Sequence, residues 1–373
     1  MKLRKWQQEA VDAWNITKNG IVVAATGVGK TQVAVEIIKQ LKCSTMIVVP
    51  TVALQVQWKE TLNNNGFECG LVGDGHNDMD ANIVIAVINS LRDKKIAKDL
   101  FVFDEIHRSL SEQNIRALIN NYKHILCLTA TLEREDKRHE ILLKRVPVVY
   151  RYEQKEAIRD NVLSEYEIVN IGVDLTPNEL IKYQRYDDIV VEHFREHRTS
   201  TFNFKKLPWK VMSAITRRRQ LLMNAESKIS KTIELLNQIN YKKIIVFCEF
   251  IVTAKRIEQE LKKIGTKCCI YTSKMKAQEN KDMMKQFETD INIMISVRSL
   301  DEGIDVPSVD SLIIVGSSKV KRQNVQRFGR ALRKQENKCA IIYQLYCSNT
   351  KDRDWLNTRM KPFYESSISV TWY

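Results

Sequence analysis

Short runs that are apolar at nearly every position recur along this chain, and they constrain the fold more than any other feature. Gly20–Ala24, Thr45–Val49, Ile83–Val87, Leu100–Phe103 and His124–Leu128 fall within the first 130 residues. A strand with one wet face alternates apolar and polar residues, whereas a strand covered on both faces does not. Between the runs lie helical stretches, such as Thr31–Leu41 with Val33, Ile37, Ile38 and Leu41 at helical spacing. The alternation predicts parallel sheets wound by helices, an α/β fold. The same grammar returns at Lys243–Cys248, Cys268–Tyr271, Ile291–Ser296, Ser311–Val315 and Cys339–Leu345. With 373 residues, against roughly 100–200 for one domain, two domains are expected, at 1–149 and 150–373.

The middle of the chain, about 176–225, reads differently. A Thr-Pro-x-Glu start signal at Thr176–Glu179 predicts a helix, and the segment is an insert in the second domain. From His197 to Ala225 it carries seven Lys and Arg and no acid, with Phe202, Phe204 and Trp209 interleaved. The whole chain holds 59 basic against 45 acidic residues, a net charge of +14, which points to a polyanionic partner. The N-terminus lacks the apolar stretch of a signal peptide, and no run approaches the roughly 20 residues of a membrane span. The eight cysteines form no C-x-x-C pair, so neither zinc nor an iron–sulfur cluster is indicated. An intracellular, cytoplasmic protein with reduced thiols is expected, with no membrane partner and no protein partner implied.

Residues 24–31 read AATGVGKT, directly after a strand and before a helix. Glycines there let the backbone curl so that its N–H groups face a phosphate at a helix N-terminus. Thr26, Gly27, Val28 and Gly29 would line this loop. Lys30 would reach the β- and γ-phosphates of ATP, and Thr31 would place its hydroxyl on Mg2+. The full G-x-x-x-x-G-K-[ST] pattern asks for glycine where this chain has Ala24. Further on, LFVFDEIH at Leu100–His107 is an apolar strand delivering two carboxylates at its C-terminal end, where α/β sheets bind ligands. Asp104 suits the Mg2+ site, and Glu105 suits the general base for the attacking water.

Taken together these residues resemble superfamily 2 helicases of the DExH kind, over nearly the whole chain. The resemblance implies two tandem RecA-like domains and ATP-driven work on nucleic acid. Arg4 and Gln7 in LRKWQ resemble the adenine-reading element. Pro50, Thr51, Gln57 and Trp58 in PTVALQVQW, and Ser90 in VINSL, match the motifs that hold the nucleic-acid backbone. His107, Thr129 and Thr131 match the elements that couple hydrolysis to movement. In the second domain IIVFCEF (Ile244–Phe250) resembles one motif, and SVRSLDEGIDVP supplies Gly303 and Asp305 to the nucleotide. QRFGRALR fits Q-x-x-G-R-x-x-R, which gives Gln326, Arg330 and Arg333 catalytic roles. The two arginines, three apart, can share one helix face and meet a γ-phosphate. Arg134, Glu135 and Asp136 resemble the Arg-Glu-Asp element of XPB-type helicases, with phage branch-migration helicases of the UvsW kind as near relatives. The basic insert then resembles the thumb of that group, with Lys205, Lys206, Trp209 and Lys210 as DNA contacts. The expected function is an ATP-dependent DNA helicase or translocase acting on branched or forked DNA, in a bacterial or phage-infected cell.

Other readings stay open at this point. An RNA helicase or a duplex translocase that separates no strands would carry the same motor motifs, because phosphate contacts hold little base information. A nucleic-acid-binding relative without catalysis is disfavoured by the presence of Lys30, Thr31, Asp104, Glu105, Arg330 and Arg333 together. HFREH at His193–His197 spells the inverted zinc-protease motif, but no third ligand is announced downstream.

Overall fold

The apolar runs pair into two parallel sheets, one in each of two units that divide between Leu163 and Ser164. The computed structural model describes residues 2–91, 96–110, 122–132, 136–196, 207–272, 275, 277–297, 309–316 and 339–373. In the first unit the chain runs α1 (Lys5–Thr17), β1 (Asn19–Ala24), α2 (Lys30–Leu41), β2 (Thr45–Val49), α3 (Val52–Asn64), β3 (Gly70–Gly73) and β4 (His76–Asn77). It continues through β5 (Ile83–Val87), β6 (Leu100–Phe103), α4 (Ile106–Ser109), β7 (His124–Thr129), α5 (His139–Leu143), β8 (Val148–Tyr152) and α6 (Gln154–Arg159).

The strand order is β4-β3-β5-β2-β6-β7-β1-β8, parallel throughout except for the short β3–β4 pair. Every residue of β2, β5 and β6 is buried. Met46, Val48, Val84, Ala86, Phe101, Phe103, Ile125 and Cys127 join one core layer with Ile106, Leu132 and Leu142. The alternate residues Ile47, Val49, Ile85, Val102 and Leu126 are buried on the other face. On α1 the buried Trp6, Ala10, Val11 and Trp14 follow helical spacing, and the Trp14 indole N–H donates to the Ile125 carbonyl at 2.8 Å. β8 pairs in parallel with β1 and so crosses the boundary expected at 149/150.

The second unit holds β9 (Glu165–Val173), α7 (Pro177–Glu196), α8 (Trp209–Met223), α9 (Glu226–Gln238), β10 (Ile244–Cys248), α10 (Ile251–Lys263) and β11 (Cys268–Thr272). Then come α11 (Ala277–Thr289), β12 (Ile293–Val297), β13 (Ser311–Ile314), β14 (Cys339–Cys347), α12 (Lys351–Tyr364) and β15 (Ser369–Trp372). Its order is β11-β12-β10-β13-β14-β9-β15, with every described pairing parallel. One core layer packs Ile244, Val246, Ile295 and Ile313 against Leu235 of α9 and Ile257 and Leu261 of α10.

The expected insert forms the helices α7 and α8. Glu179 caps the first of them: its Oε2 accepts from the Thr176 N–H at 3.1 Å and the Thr176 hydroxyl at 2.9 Å. Inside this unit Lys228 pairs with Asp352 at 2.6 Å, both nearly inaccessible to water. Among the described residues no helix is long and apolar enough to cross a membrane.

Candidate active site

Parallel strands all point their C-terminal ends the same way, so the loops that follow β1, β7, β6, β2 and β5 emerge along one edge of the first sheet. Between β1 and α2 the turn uses Gly27 at φ 87° and Gly29 at φ 93°, left-handed conformations that favour glycine. Ala24 is still the last residue of β1 and is not among the residues with positive φ. The missing first glycine therefore leaves no strained backbone. The Lys30 ammonium donates to the carbonyls of Ala24 at 3.0 Å and Ala25 at 3.1 Å, which holds it over the turn. Among the described residues the buried Thr26 hydroxyl has no hydrogen-bond partner. Thr31 sits in the first turn of α2.

Arg4 and Gln7 clasp this loop from outside. The Arg4 guanidinium donates to the Val28 carbonyl at 3.0 Å, and the Gln7 amide donates to the Gly29 carbonyl at 3.0 Å. The Gln7 carbonyl in turn accepts from the Arg4 backbone N–H at 2.8 Å. Both expected adenine-reading residues are thus brought to the phosphate loop. Trp6, which sequence reasoning passed over, stacks on Tyr152 at 4.8 Å and 6°.

The carboxylate pair follows β6, one strand removed from β1 across β7. Asp104 is buried, and burial pushes its carboxyl above the usual range. The Trp58 hydrogen bond, the Lys30 charge and the Glu105 backbone N–H oppose that shift. Its Oδ2 accepts from Trp58 Nε1 at 2.8 Å and its Oδ1 from the Glu105 N–H at 3.0 Å. Glu105 itself has φ 49°, a left-handed conformation that is uncommon for a residue with a side chain. That turn directs its Oε2 to within 3.3 Å of His107 Nδ1. His107 Nδ1 also lies 3.0 Å from the Thr129 hydroxyl. Because Thr129 Oγ1 donates to the Thr131 carbonyl at 2.7 Å, its proton is already used, so the network assigns the proton between it and His107 to Nδ1. The three expected coupling residues therefore form one chain of contacts that ends on Glu105.

A glycine turn at the N-terminus of α2, an ammonium, an unpartnered buried hydroxyl and a carboxylate close to that ammonium suit a polyphosphate and a hard, oxygen-seeking cation. Thr31, in the first turn of α2, and Asp104, after β6, are oxygen donors that could hold such a cation.

The expected backbone-holding residues divide. Pro50, Thr51 and Gln57 are partly exposed, with Thr51 capping α3 through the Leu54 N–H at 3.3 Å. Ser90 is partly exposed in a single 3-10 turn, Ile88–Leu91. Trp58 is corrected: only 1% exposed, with its N–H committed to Asp104, it faces the carboxylate instead of solvent. Gln55 was missed. Its amide donates to the Val72 carbonyl at 3.1 Å and the Ile85 carbonyl at 2.8 Å, tying α3 to β3 and β5. The signal was a polar residue on the buried stripe Leu54, Gln55, Trp58, Leu62 of α3.

In the second unit Trp209 is 81% exposed, and Lys210 is exposed beside it. The basic trio is not uniform. Arg217 is exposed, but Arg218 is buried, paired with Asp187 of α7 and set 5.8 Å over the Trp355 ring. Arg219 pairs with Glu249 at 3.3 Å. Arg134, Lys205, Lys206, Gly303, Asp305, Gln326, Arg330 and Arg333 lie outside the described residues, as does His197 of the zinc-like motif. His193 makes an edge contact with Phe194 at 5.5 Å.

Residues 1–134 match the family described as type III restriction enzyme, res subunit, and residues 227–335 match the helicase conserved C-terminal domain. The chain is 33% identical over 374 residues to the DNA 3'-5' translocase XPB2 of Sulfurisphaera tokodaii, covering 94% of this chain and 83% of that protein. It is 24% identical to Rad25 of Halobacterium salinarum over its whole length, which is 58% of that relative. Among solved structures, a variant of S. cerevisiae Dbp5 bound to RNA and ADP BeF3 superposes with a TM-score of 0.64 at 16% identity, over 100% of this chain and 90% of that one. This last likeness supports the fold: two RecA-like α/β domains. The likeness to the translocase runs along nearly the whole chain and is not confined to the nucleotide motifs, and it places the protein in the superfamily 2 helicases, ATP-hydrolysing enzymes, among relatives of the XPB type.

Proposed function

We infer that this chain is a DNA motor that couples ATP hydrolysis to movement along DNA and to the remodelling of branched or forked DNA. The observation that carries this reading is the single sheet edge on which Lys30, Asp104, Glu105, His107 and Thr129 converge. The DNA assignment follows the names of the XPB2 relative and its group, and the basic, aromatic-tipped α7–α8 insert agrees with it.

In this reading Gly27, Gly29 and the first turn of α2 cradle the phosphates, and Lys30 leaves its two carbonyls to meet the γ-phosphate. Thr31 and Asp104 would hold Mg2+, which would supply positive charge to neutralise the phosphates. Glu105 orients the attacking water and takes its proton. His107 Nδ1 directs its proton at Thr129 and lies 3.3 Å from the Glu105 carboxylate, so a shift at Thr129–Thr131 moves the imidazole that flanks the base. That link is what couples hydrolysis to movement. Arg330 and Arg333 are assigned from their motif to the charge that develops on the transferred phosphoryl group.

The test compares Lys30→Ala and Glu105→Gln. Glu105→Gln is expected to bind ATP and Mg2+ as wild type does while turnover falls by about 10²–10⁴, whereas Lys30→Ala loses nucleotide binding. Equal ATPase rates for wild type and Glu105→Gln would remove Glu105 from the reaction. Stimulation of the wild-type rate by forked DNA but not by tailed RNA duplexes is expected. A larger stimulation by RNA would reverse the DNA assignment. Because the most similar relative cited is named a translocase, triplex displacement without fork unwinding would favour movement along the duplex without strand separation.

A further inference from the structure

We propose that Trp58 is a positioning residue for ATP hydrolysis: it fixes the Asp104 carboxylate from helix α3, so that what α3 grips sets the geometry of the Mg2+ site. The inference rests on the motor reading above, and its first half stands without it.

Asp104 carries two anchors from two different elements. The Glu105 backbone N–H holds Oδ1 at 3.0 Å, and Trp58 Nε1 holds Oδ2 at 2.8 Å. The terminal torsion of an aspartate is soft, so one anchor fixes a point and two fix the plane of the carboxylate. That plane decides which lone pairs remain for a cation beside Lys30 and Thr31. The Glu105 anchor belongs to the same loop and moves with Asp104. The Trp58 anchor does not.

A buried indole usually finds an acceptor, so a hydrogen bond alone would mark only a well-packed core. This protein contains that ordinary solution for comparison. Trp14, equally buried, donates to a strand carbonyl, that of Ile125. Trp58 instead donates to an ionisable side chain in the site, 46 residues away in sequence.

α3 is well placed to transmit a signal. It runs 13 residues from its Thr51 cap, and its outer side leaves Val52 37% and Val56 42% exposed. Gln57, partly exposed and proposed to touch the DNA backbone, immediately precedes Trp58 and points about 100° away around the helix. A hydrogen bond of this kind weakens steeply once its geometry leaves a narrow range of distance and angle. A shift of α3 by about 1 Å is therefore enough to release one edge of the carboxylate.

The experiment replaces Trp58 with Phe, which keeps an aromatic ring and removes the N–H. A second variant carries β-(3-benzothienyl)alanine at this position, an isostere with sulfur in place of the N–H, in case Phe packs poorly. Binding of a fluorescent ADP analogue is titrated with Mg2+ and with EDTA, each with and without forked DNA. Affinity in EDTA is expected to match wild type, because the phosphate loop is untouched. The gain in affinity from Mg2+ is expected to shrink about ten-fold, the worth of a hydrogen bond to a charged group. Forked DNA should shift the Mg2+ midpoint of wild type and leave that of both variants unmoved.

If both variants keep the wild-type Mg2+ gain and the wild-type response to DNA, Trp58 is a core residue and the proposal fails, even if the protein melts earlier. If they lose the Mg2+ gain but keep the response to DNA, the link through α3 fails. The motor reading is judged separately, by whether wild type hydrolyses ATP faster with DNA.

Discussion

Arg217 and Arg218 adjoin in sequence, and the fold sends them to opposite environments, which makes their alanine variants a sharp test of the insert. Arg218 is 8% exposed and pairs with Asp187, whose side chain keeps 24% of its surface. Breaking a buried pair from one side costs about 3–5 kcal/mol. Residual water around Asp187 screens the abandoned carboxylate, which lowers that figure to about 2–3 kcal/mol. Loss of the guanidinium over the Trp355 ring, 5.8 Å from its centroid, adds about 0.5–1 kcal/mol. Arg218→Ala should therefore lose about 3 kcal/mol in a urea melt, with the salt slope of DNA binding unchanged at temperatures where it stays folded. Arg217→Ala should melt like wild type. It should lower the salt slope by about 0.7–0.9, the signature of one phosphate contact. The assay pairs denaturant melts with binding of forked DNA across a salt titration. A stable Arg218→Ala with a flattened salt slope, or a destabilised Arg217→Ala with an unchanged one, would refute this division of roles.

Two further outcomes follow from the second unit. Lys228→Met leaves Asp352 with Arg359, at 4.0 Å, in place of the closer ammonium and should cost about 3 kcal/mol, the lower end for breaking a buried pair. Lys228→Met with Asp352→Asn should recover part of that, since the Asn carbonyl can still accept from the Cys347 N–H, which now donates to Asp352 at 3.1 Å, while Arg359 loses its carboxylate. A double variant no more stable than the single one would show that the pair acts by packing alone. Burial also pushes the thiols of Cys269 and Cys347 up to about 12. The folded chain then keeps protons that the unfolded chain releases above about pH 8.5, so stability falls as pH rises from there toward the folded values. Cys269→Ala with Cys347→Ala should make the decline in melting midpoint between pH 7.5 and 9.5 shallower, and an equally steep decline would exclude these thiols as its cause.

Much of this protein was legible in its sequence, for reasons that lie in local chemistry. Strands covered on both faces are apolar at nearly every position, so β2, β5, β6, β10, β12 and β13 announced themselves. The edge strands β8 and β15, and β9 beside the latter, did not, because residues such as Arg151, Glu165 and Glu167 look like loop until a neighbouring strand is in place. The phosphate loop was legible because its glycines, lysine and threonine act through neighbouring backbone, and the Thr176–Glu179 cap because it closes within one turn. What only the tertiary structure decided is where long-range partners fall. Nothing near Trp58 in sequence says that it will donate to Asp104, nor that Gln7 will close on Gly29. A helical period could not sort Arg217 from Arg218 and Arg219 either, because burial on one helix depends on the acidic side chains that arrive from others. Asp187 and Glu249 pair with two of the three arginines, and that choice is made only when the chain has folded.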